Sequence, residues 1–106
     1  MMSDYLFEIS KKLRKKFGDN IVKIILFGSY ARGDYSAESD IDLLLVVKDD
    51  SIADIEDDIR KIIYSFIPAV GRLISVKIVG AEKYAKMKEI NHSFIQSVER
   101  EGIVIG

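Results

Sequence analysis

Two short groups of residues carry the chemistry open to this chain. Gly28 and Ser29 follow an apolar run, and after ten intervening residues Asp40 and Asp42 stand two apart, with another apolar run beginning between them at Ile41. Gly28 has no Cβ, so the backbone there can turn sharply and approach a ligand closely. Ser29 adds a hydroxyl and begins a short Tyr30-Ala31-Arg32 turn whose free N–H groups can point at phosphate oxygens. Together they form a small anion cradle, although a Gly-Ser pair after a strand is more often a plain loop.

The aspartates sharpen the picture. Side chains two apart on a strand project to one face, so Asp40 and Asp42 share a side and Ile41 is buried opposite. Carboxylates this close repel unless a cation lies between them, and Mg²⁺ takes one or two carboxylates plus substrate phosphates and water. The plainer alternative is that Asp40 caps the turn and Asp42 is solvated at a strand end. Arg32 is placed either to offset phosphate charge or to be an exposed loop arginine, and Asp34 and Glu38 read as solvated loop acids.

The elements that must position these groups follow from periodicity. Leu6, Ile9, Leu13 and Phe17 fall at helical spacing in a segment 3–17 that Gly18 stops. Ile21–Phe27 and Ile41–Val47 are apolar at nearly every position, as strands covered on both faces are. Ser51 and Asp54 have the form of a capping box for a helix over 51–66, carried by Ile52, Ile55, Ile59, Ile62 and Phe66 and ending before Pro68. A third strand spans 73–79, with Leu73, Ser75 and Lys77 on one face and Ile74, Val76 and Ile78 on the other. Gly80 breaks it. A helix over 82–88 follows, then one capped by Asn91 that carries Phe94, Ile95 and Val98, and Gly102 precedes a short strand at 103–105. This order indicates a single α/β layer structure.

The bulk properties narrow the partners. A chain of 106 residues is long enough for one core without disulfides, and the reading is one domain, 1–106. A formal charge of −1 gives no long-range pull toward nucleic acid or anionic lipid, so nucleic-acid binding is not indicated. Without cysteine there is no disulfide framework or thiolate zinc site. No apolar run reaches the roughly 20 residues that span a bilayer, and the N-terminus does not read as a leader. The expectation is a cytoplasmic protein with no membrane contact.

Taken together, Gly-Ser-x-Ala-x-Gly, the ten-residue spacing and Ser39-Asp40-Ile41-Asp42-Leu43 resemble the nucleotidyltransferase superfamily of DNA polymerase β type, in particular its minimal nucleotidyltransferase branch. The resemblance covers nearly the whole chain, including the ending from Phe94 to Val104. It implies an α/β (α+β) nucleotidyltransferase fold, a central mixed sheet of three to four strands flanked by helices. It implies that Gly28 and Ser29 hold the triphosphate of ATP or another NTP with Arg32 nearby. Asp40 and Asp42, the catalytic pair, would bind two Mg²⁺ ions that clamp the attacking and leaving oxygens. An acceptor hydroxyl would then attack the α-phosphorus and pyrophosphate would leave.

Members of that branch place a third carboxylate on the strand after the next helix, and here the matching position is Ser75. No acid occurs between Asp58 and Glu82, and the same-face neighbours of Ser75 are Leu73 and Lys77. One metal, or none, then becomes an alternative to two. The Lys77 ammonium either neutralises the aspartate pair in competition with Mg²⁺ or snorkels into solvent. Minimal nucleotidyltransferases are commonly partnered with small helical HEPN proteins in toxin–antitoxin systems, so the resemblance implies transfer to a hydroxyl of such a partner. The alternatives are an inactive nucleotide- or partner-binding subunit and a small-molecule transferase; a homo-oligomer stays open.

The remaining candidates have bland readings. His92 lacks a second ligand and reads as a surface or capping residue. Tyr30, Tyr35, Tyr64 and Tyr84 form no periodic stacking platform, although Tyr30 and Tyr35 could lie beside the nucleotide. Lys11, Lys12, Arg14, Lys15 and Lys16 form the solvent face of the first helix.

Overall fold

The computed structural model describes residues 2–106. Helix α1 (Met2–Phe17) leads through a 3₁₀ turn into β1 (Ile21–Phe27), and the short α2 (Gly28–Arg32) follows directly. Strand β2 (Ile41–Val47), helix α3 (Ile52–Tyr64), the one-turn α4 (Ile67–Val70) and β3 (Ile74–Gly80) come next. Helices α5 (Ala81–Glu89) and α6 (Ser93–Glu101) precede β4 (Ile103–Val104). The four strands form one mixed sheet in the order β3-β2-β1-β4, with β1 antiparallel to β2 and β4, and β2 parallel to β3. Among the described residues no helix is long and apolar enough to cross a membrane.

The unbroken hydrophobicity of β2 has the expected cause, since both of its faces are covered. Ile41, Leu43, Leu45 and Val47 join α1 and α3 through Ile9, Leu13, Ile59 and Ile63. Leu44 and Val46 face the other way, onto Tyr84, Ile95 and Val98 of α5 and α6. Each fully buried aliphatic side chain contributes about 1.5–3 kcal/mol, so the strand that carries Asp42 is held firmly. Strand β1 is less completely covered: Ile21, Ile24, Ile25 and Leu26 are buried, whereas Val22 is exposed. In β3 the expected alternation is present, with Ile74 and Val76 buried and Ser75 and Lys77 open.

Three local readings need correction. Ser51 precedes α3, but its hydroxyl donates to Asn20 Oδ1 at 3.0 Å and makes no capping bond, because the turn after β1's neighbour strand brings Asn20 within reach. The cap of α6 is His92, whose Nδ1 accepts from the Phe94 N–H at 3.3 Å; Asn91 instead takes the left-handed turn before it, at φ 55°. Gly80 ends β3 rather than lying beyond it. It is buried under Asp49, whose carboxylate would collide with any Cβ at that position and whose Oδ2 accepts from the Glu82 N–H at 3.0 Å. Asp49 thus caps α5 from a distant loop, a favourable place for a negative charge.

Tyr84 is buried at 5% exposure, and its hydroxyl donates to Glu99 Oε1 at 2.8 Å, where Lys88 Nζ also lies 3.0 Å away. This ties α5 to α6. The Tyr84 bond, with Lys88, holds the Glu99 carboxyl below its ordinary 4.5, so the stabilisation is present above that value and fades as the pH falls through the lowered one. Tyr84→Phe is expected to cost about 1 kcal/mol at pH 7, and solvent around Glu99 keeps the loss from being larger. Urea unfolding should show a lower midpoint with unchanged slope, and the difference from wild type should shrink below pH 4.5.

Candidate active site

The Gly-Ser turn and the aspartates meet at one end of the sheet. Phe27, the last residue of β1, pairs with Asp42, and on the other side of β2 Asp42 pairs with Ser75. The α5–α6 face of the sheet therefore carries Phe27, Asp42 and Ser75 in a row, followed one step along by Ile25, Leu44 and Lys77. The position read as lacking its acid is thus the direct cross-strand neighbour of Asp42, and Ser75 there is exposed.

Gly28 turns with φ 75° immediately after Phe27. A Cβ at this position would run into Asp42 Oδ2 and lie 3.2 Å from its Cγ. The absent side chain lets the backbone of the turn come against the carboxylate, which brings the two motifs into one site. Ser29 follows in α2, half-buried, and its carbonyl accepts from the N–H groups of Gly33 and Asp34.

Asp42 is half-buried and Asp40 exposed. Burial, then the charge of Asp40, pushes the Asp42 carboxyl above its ordinary value, while Lys77 and Arg32 pull it back. A carboxylate that is partly desolvated and faces a second negative charge is a good cation ligand, because a bound cation relieves both costs at once. The pair and the open Gly28 turn suit one divalent ion. Among the described residues, no group of three or more acids and histidines converges on a metal position.

Lys77 lies on the same face of the sheet as Asp42. Its ammonium sits 5.7 Å from the Phe94 ring centroid, and Phe94 meets Phe27 edge-to-face at 5.4 Å. The lysine thus leans over the aromatic pair beside the site, close enough for its charge to act on Asp42. It also lines a groove of about 510 Å³ with Val76, Ile78, Met87 and Phe94.

Arg32 is not a free loop arginine. Its Nε donates to Asp34 at 3.1 Å and its Nη1 to Glu101 of α6 at 3.5 Å. Asp34 is accordingly an ion-pair partner rather than a purely solvated acid, although solvent screens an exposed pair of this kind and leaves it little weight in stability. Arg32, Gly28, Phe27, Phe94, Ser97 and Glu101 surround a small cavity of about 200 Å³. Phe94, Ser97 and Glu101 were not singled out as site residues. Their spacing of three and four along α6 puts them on one helix face, and that pattern was the available signal.

Tyr30 and Tyr35 stack at 4.1 Å with an interplanar angle of 5°. They line a separate groove with Leu6, Phe7, Leu26 and Ile105, on the α1 side of the sheet and so across from Asp42.

Comparison with known proteins agrees with this architecture. The profile of the family described as "Nucleotidyltransferase domain" matches residues 6–105. A Methanocaldococcus jannaschii protein named "putative protein adenylyltransferase" is 40% identical over 99 residues, spanning 92% of this chain and 91% of its own. Among solved structures, a "putative nucleotidyltransferase" of Sulfolobus solfataricus superposes with a TM-score of 0.59 at 24% identity, over 97% of this chain and 78% of its own. A toxin–antitoxin complex crystallised with AMP-PNP contains a chain with a TM-score of 0.58 at 21% identity, over 94% of this chain and 72% of that one.

Proposed function

Starting from the fact that this chain belongs to the nucleotidyltransferase domain family, we propose that it transfers a nucleoside monophosphate from Mg²⁺-bound ATP to a hydroxyl of a partner protein. The observation that carries this reading is the half-buried Asp42, pressed against the side-chain-free turn at Gly28 and sharing its surroundings with the charge of Asp40. Asp40 and Asp42 hold the cation, and the Gly28–Ser29 turn receives the triphosphate. A cation held there would neutralise the phosphate oxygens and polarise the α-phosphorus. Arg32, released from Asp34 and Glu101, is long enough and charged at every relevant pH to contact the phosphates. The acceptor oxygen bonds to the α-phosphorus, the bond from that phosphorus to the bridging oxygen breaks, and pyrophosphate carries the electron pair away. The acceptor proton passes to solvent.

Support for a protein acceptor comes from the name of the M. jannaschii relative, and support for ATP and a partner from the AMP-PNP-bound toxin–antitoxin structure. A small helical HEPN-type protein is the partner of first choice, and the cytoplasm, where ATP is plentiful, is the setting. Residues 1–106 act in this reading as a single minimal transferase unit. With labelled ATP, Mg²⁺ and a small helical HEPN-type protein as candidate partner, label should move to the partner; a partner that stays unlabelled counts against the proposal.

A second reading has its own observation. Ser75 stands beside Asp42 where an acid would complete the metal site, and the Lys77 charge acts on that carboxylate. The domain would then bind Mg²⁺-ATP and its partner with little or no turnover. Register partners on parallel strands lie about 4.8 Å apart, so a carboxylate introduced at 75 would reach the same cation. Ser75→Asp is expected to raise the transfer rate by about a hundredfold, the low end of what a general base contributes. A wild type already as fast as the variant would show that the missing acid does not limit the reaction.

A further inference from the structure

Asp40 lies just outside β2 and so has no strand ladder to fix it, yet both peptide groups that flank it are anchored to one short segment. The carbonyl of Ser39, on its N-terminal side, accepts from Arg72 Nη1 at 3.0 Å. The N–H of Ile41, on its C-terminal side, donates to the Leu73 carbonyl at 3.0 Å. Arg72 Nη1 also donates to the carbonyls of Ser36 at 2.8 Å and Ala37 at 3.0 Å. One guanidinium nitrogen thus gathers three carbonyls of the loop that links the Gly-Ser turn to the aspartates.

The same side chain reaches the turn itself. Its guanidinium carbon is 5.2 Å from the centroid of the Tyr30 ring in α2, and Tyr30 stacks on Tyr35 of the loop. Arg72 also sits two residues before β3 and three before Ser75. The segments bearing Gly28 and Ser29, Asp40, and Ser75 therefore converge on one half-buried arginine. An aliphatic residue here could pack on Tyr30 but would leave three carbonyls without their donor. A lysine could donate to them but lacks a planar face for the ring.

We infer that Arg72 is the positioning residue of the site: it sets where the Asp40 carboxylate stands relative to Asp42 and the Gly28 turn, and thereby how tightly the pair holds a divalent cation. The inference rests on the proposed cation site, and its test has one arm that does not. Mn²⁺ is the probe, measured by electron paramagnetic resonance with and without ATP, alongside amide hydrogen exchange of the apo chain. In Arg72→Met, which keeps the apolar stem over Tyr30, Mn²⁺ affinity should fall about tenfold. Amides of residues 36–41 should exchange at least tenfold faster, while those of α1, α3 and the strands keep wild-type protection. Arg72→Lys should recover at least half of each loss on a logarithmic scale.

Mn²⁺ affinity of Arg72→Met within twofold of wild type would overturn the inference. So would unchanged exchange over 36–41, or loss of protection throughout the chain, which would make Arg72 a general structural residue. If the wild type binds no Mn²⁺, the cation-site reading fails instead, and the exchange arm still decides whether Arg72 orders the loop.

Discussion

Asp42→Asn is expected to abolish transfer and Mg²⁺-dependent ATP binding while making the metal-free protein more stable. Removing this carboxylate would deprive the proposed cation site of a ligand, and cation stabilisation of phosphoryl transfer amounts to several kcal/mol, so the rate should fall by about 10³ or more. Stability moves the other way because the folded chain pays to keep that carboxylate charged. Burial and the Asp40 charge raise the Asp42 carboxyl above its ordinary 3.8. A raised acid is protonated more readily in the folded state, so its ionised form opposes folding above the folded value and ceases to do so below 3.8. Asparagine keeps the shape and removes the charge. With allowance for solvent screening at this half-open position, the gain should be about 0.5–1 kcal/mol, or about 2–6 °C in Tm at pH 7, fading as the pH is lowered toward 4.

The measurement is a thermal melt across pH, with and without Mg²⁺. Wild type should gain stability from Mg²⁺ by mass action, and the variant should not. A variant less stable than wild type at neutral pH would mean that Asp42 serves the fold as an acceptor, and retained labelling of the partner would remove Asp42 from the chemistry.

The second large effect belongs to Gly28→Ala. Two costs coincide there: the backbone has φ 75°, and the new methyl would strike Asp42 Oδ2. A left-handed alanine costs about 1–2 kcal/mol, and relief of the collision must move either the turn or the carboxylate. A displacement of about 1 Å at a reacting centre can cost about 10²-fold in rate, so transfer should fall by about that factor, with a loss of roughly 2–3 kcal/mol in stability. Gly18→Ala separates the two costs, since Gly18 also has positive φ, at 54°, but nothing lies within 4 Å of its Cβ position. That variant should lose about 1 kcal/mol and keep full transfer. Equal losses of activity in both would show that close approach to Asp42 is not what Gly28 provides.

The features legible in the sequence were those that depend on neighbours along the chain. Strand Ile41–Val47 is legible end to end because burial on both faces makes it apolar everywhere but at Asp42, and Ile21–Phe27 because Lys23 is the one polar residue in its apolar run. Helix α1 could be read from the three- and four-residue spacing of its buried side chains. The Gly28–Ser29 and Asp40–Asp42 groups were visible as well, since a residue without a Cβ and two acids at a strand entrance are unusual wherever they fall. The reading of Ser75 as the place of a missing acid rests on the family resemblance, with the alternation of β3 supplying only the register.

Tertiary structure decided which of these groups touch, because contacts across large sequence separations depend on strand register and on how helices settle against the sheet. The register of β2 with β3 makes Ser75 the neighbour of Asp42, and that of β1 with β2 brings Gly28 against the same carboxylate. Packing of α6 supplies Glu101 to Arg32 and seats Phe94 between Phe27 and Lys77. Asp49 caps a helix that begins 32 residues later, which no local capping pattern encodes. Arg72 carried no signal in the chain: an arginine after a glycine is ordinary, and only the folded loop brings the carbonyls of Ser36, Ala37 and Ser39 to one nitrogen. Local sequence thus determined which residues can bear charge and which segments are strands, while the long-range register of the sheet determined that the charges form one site.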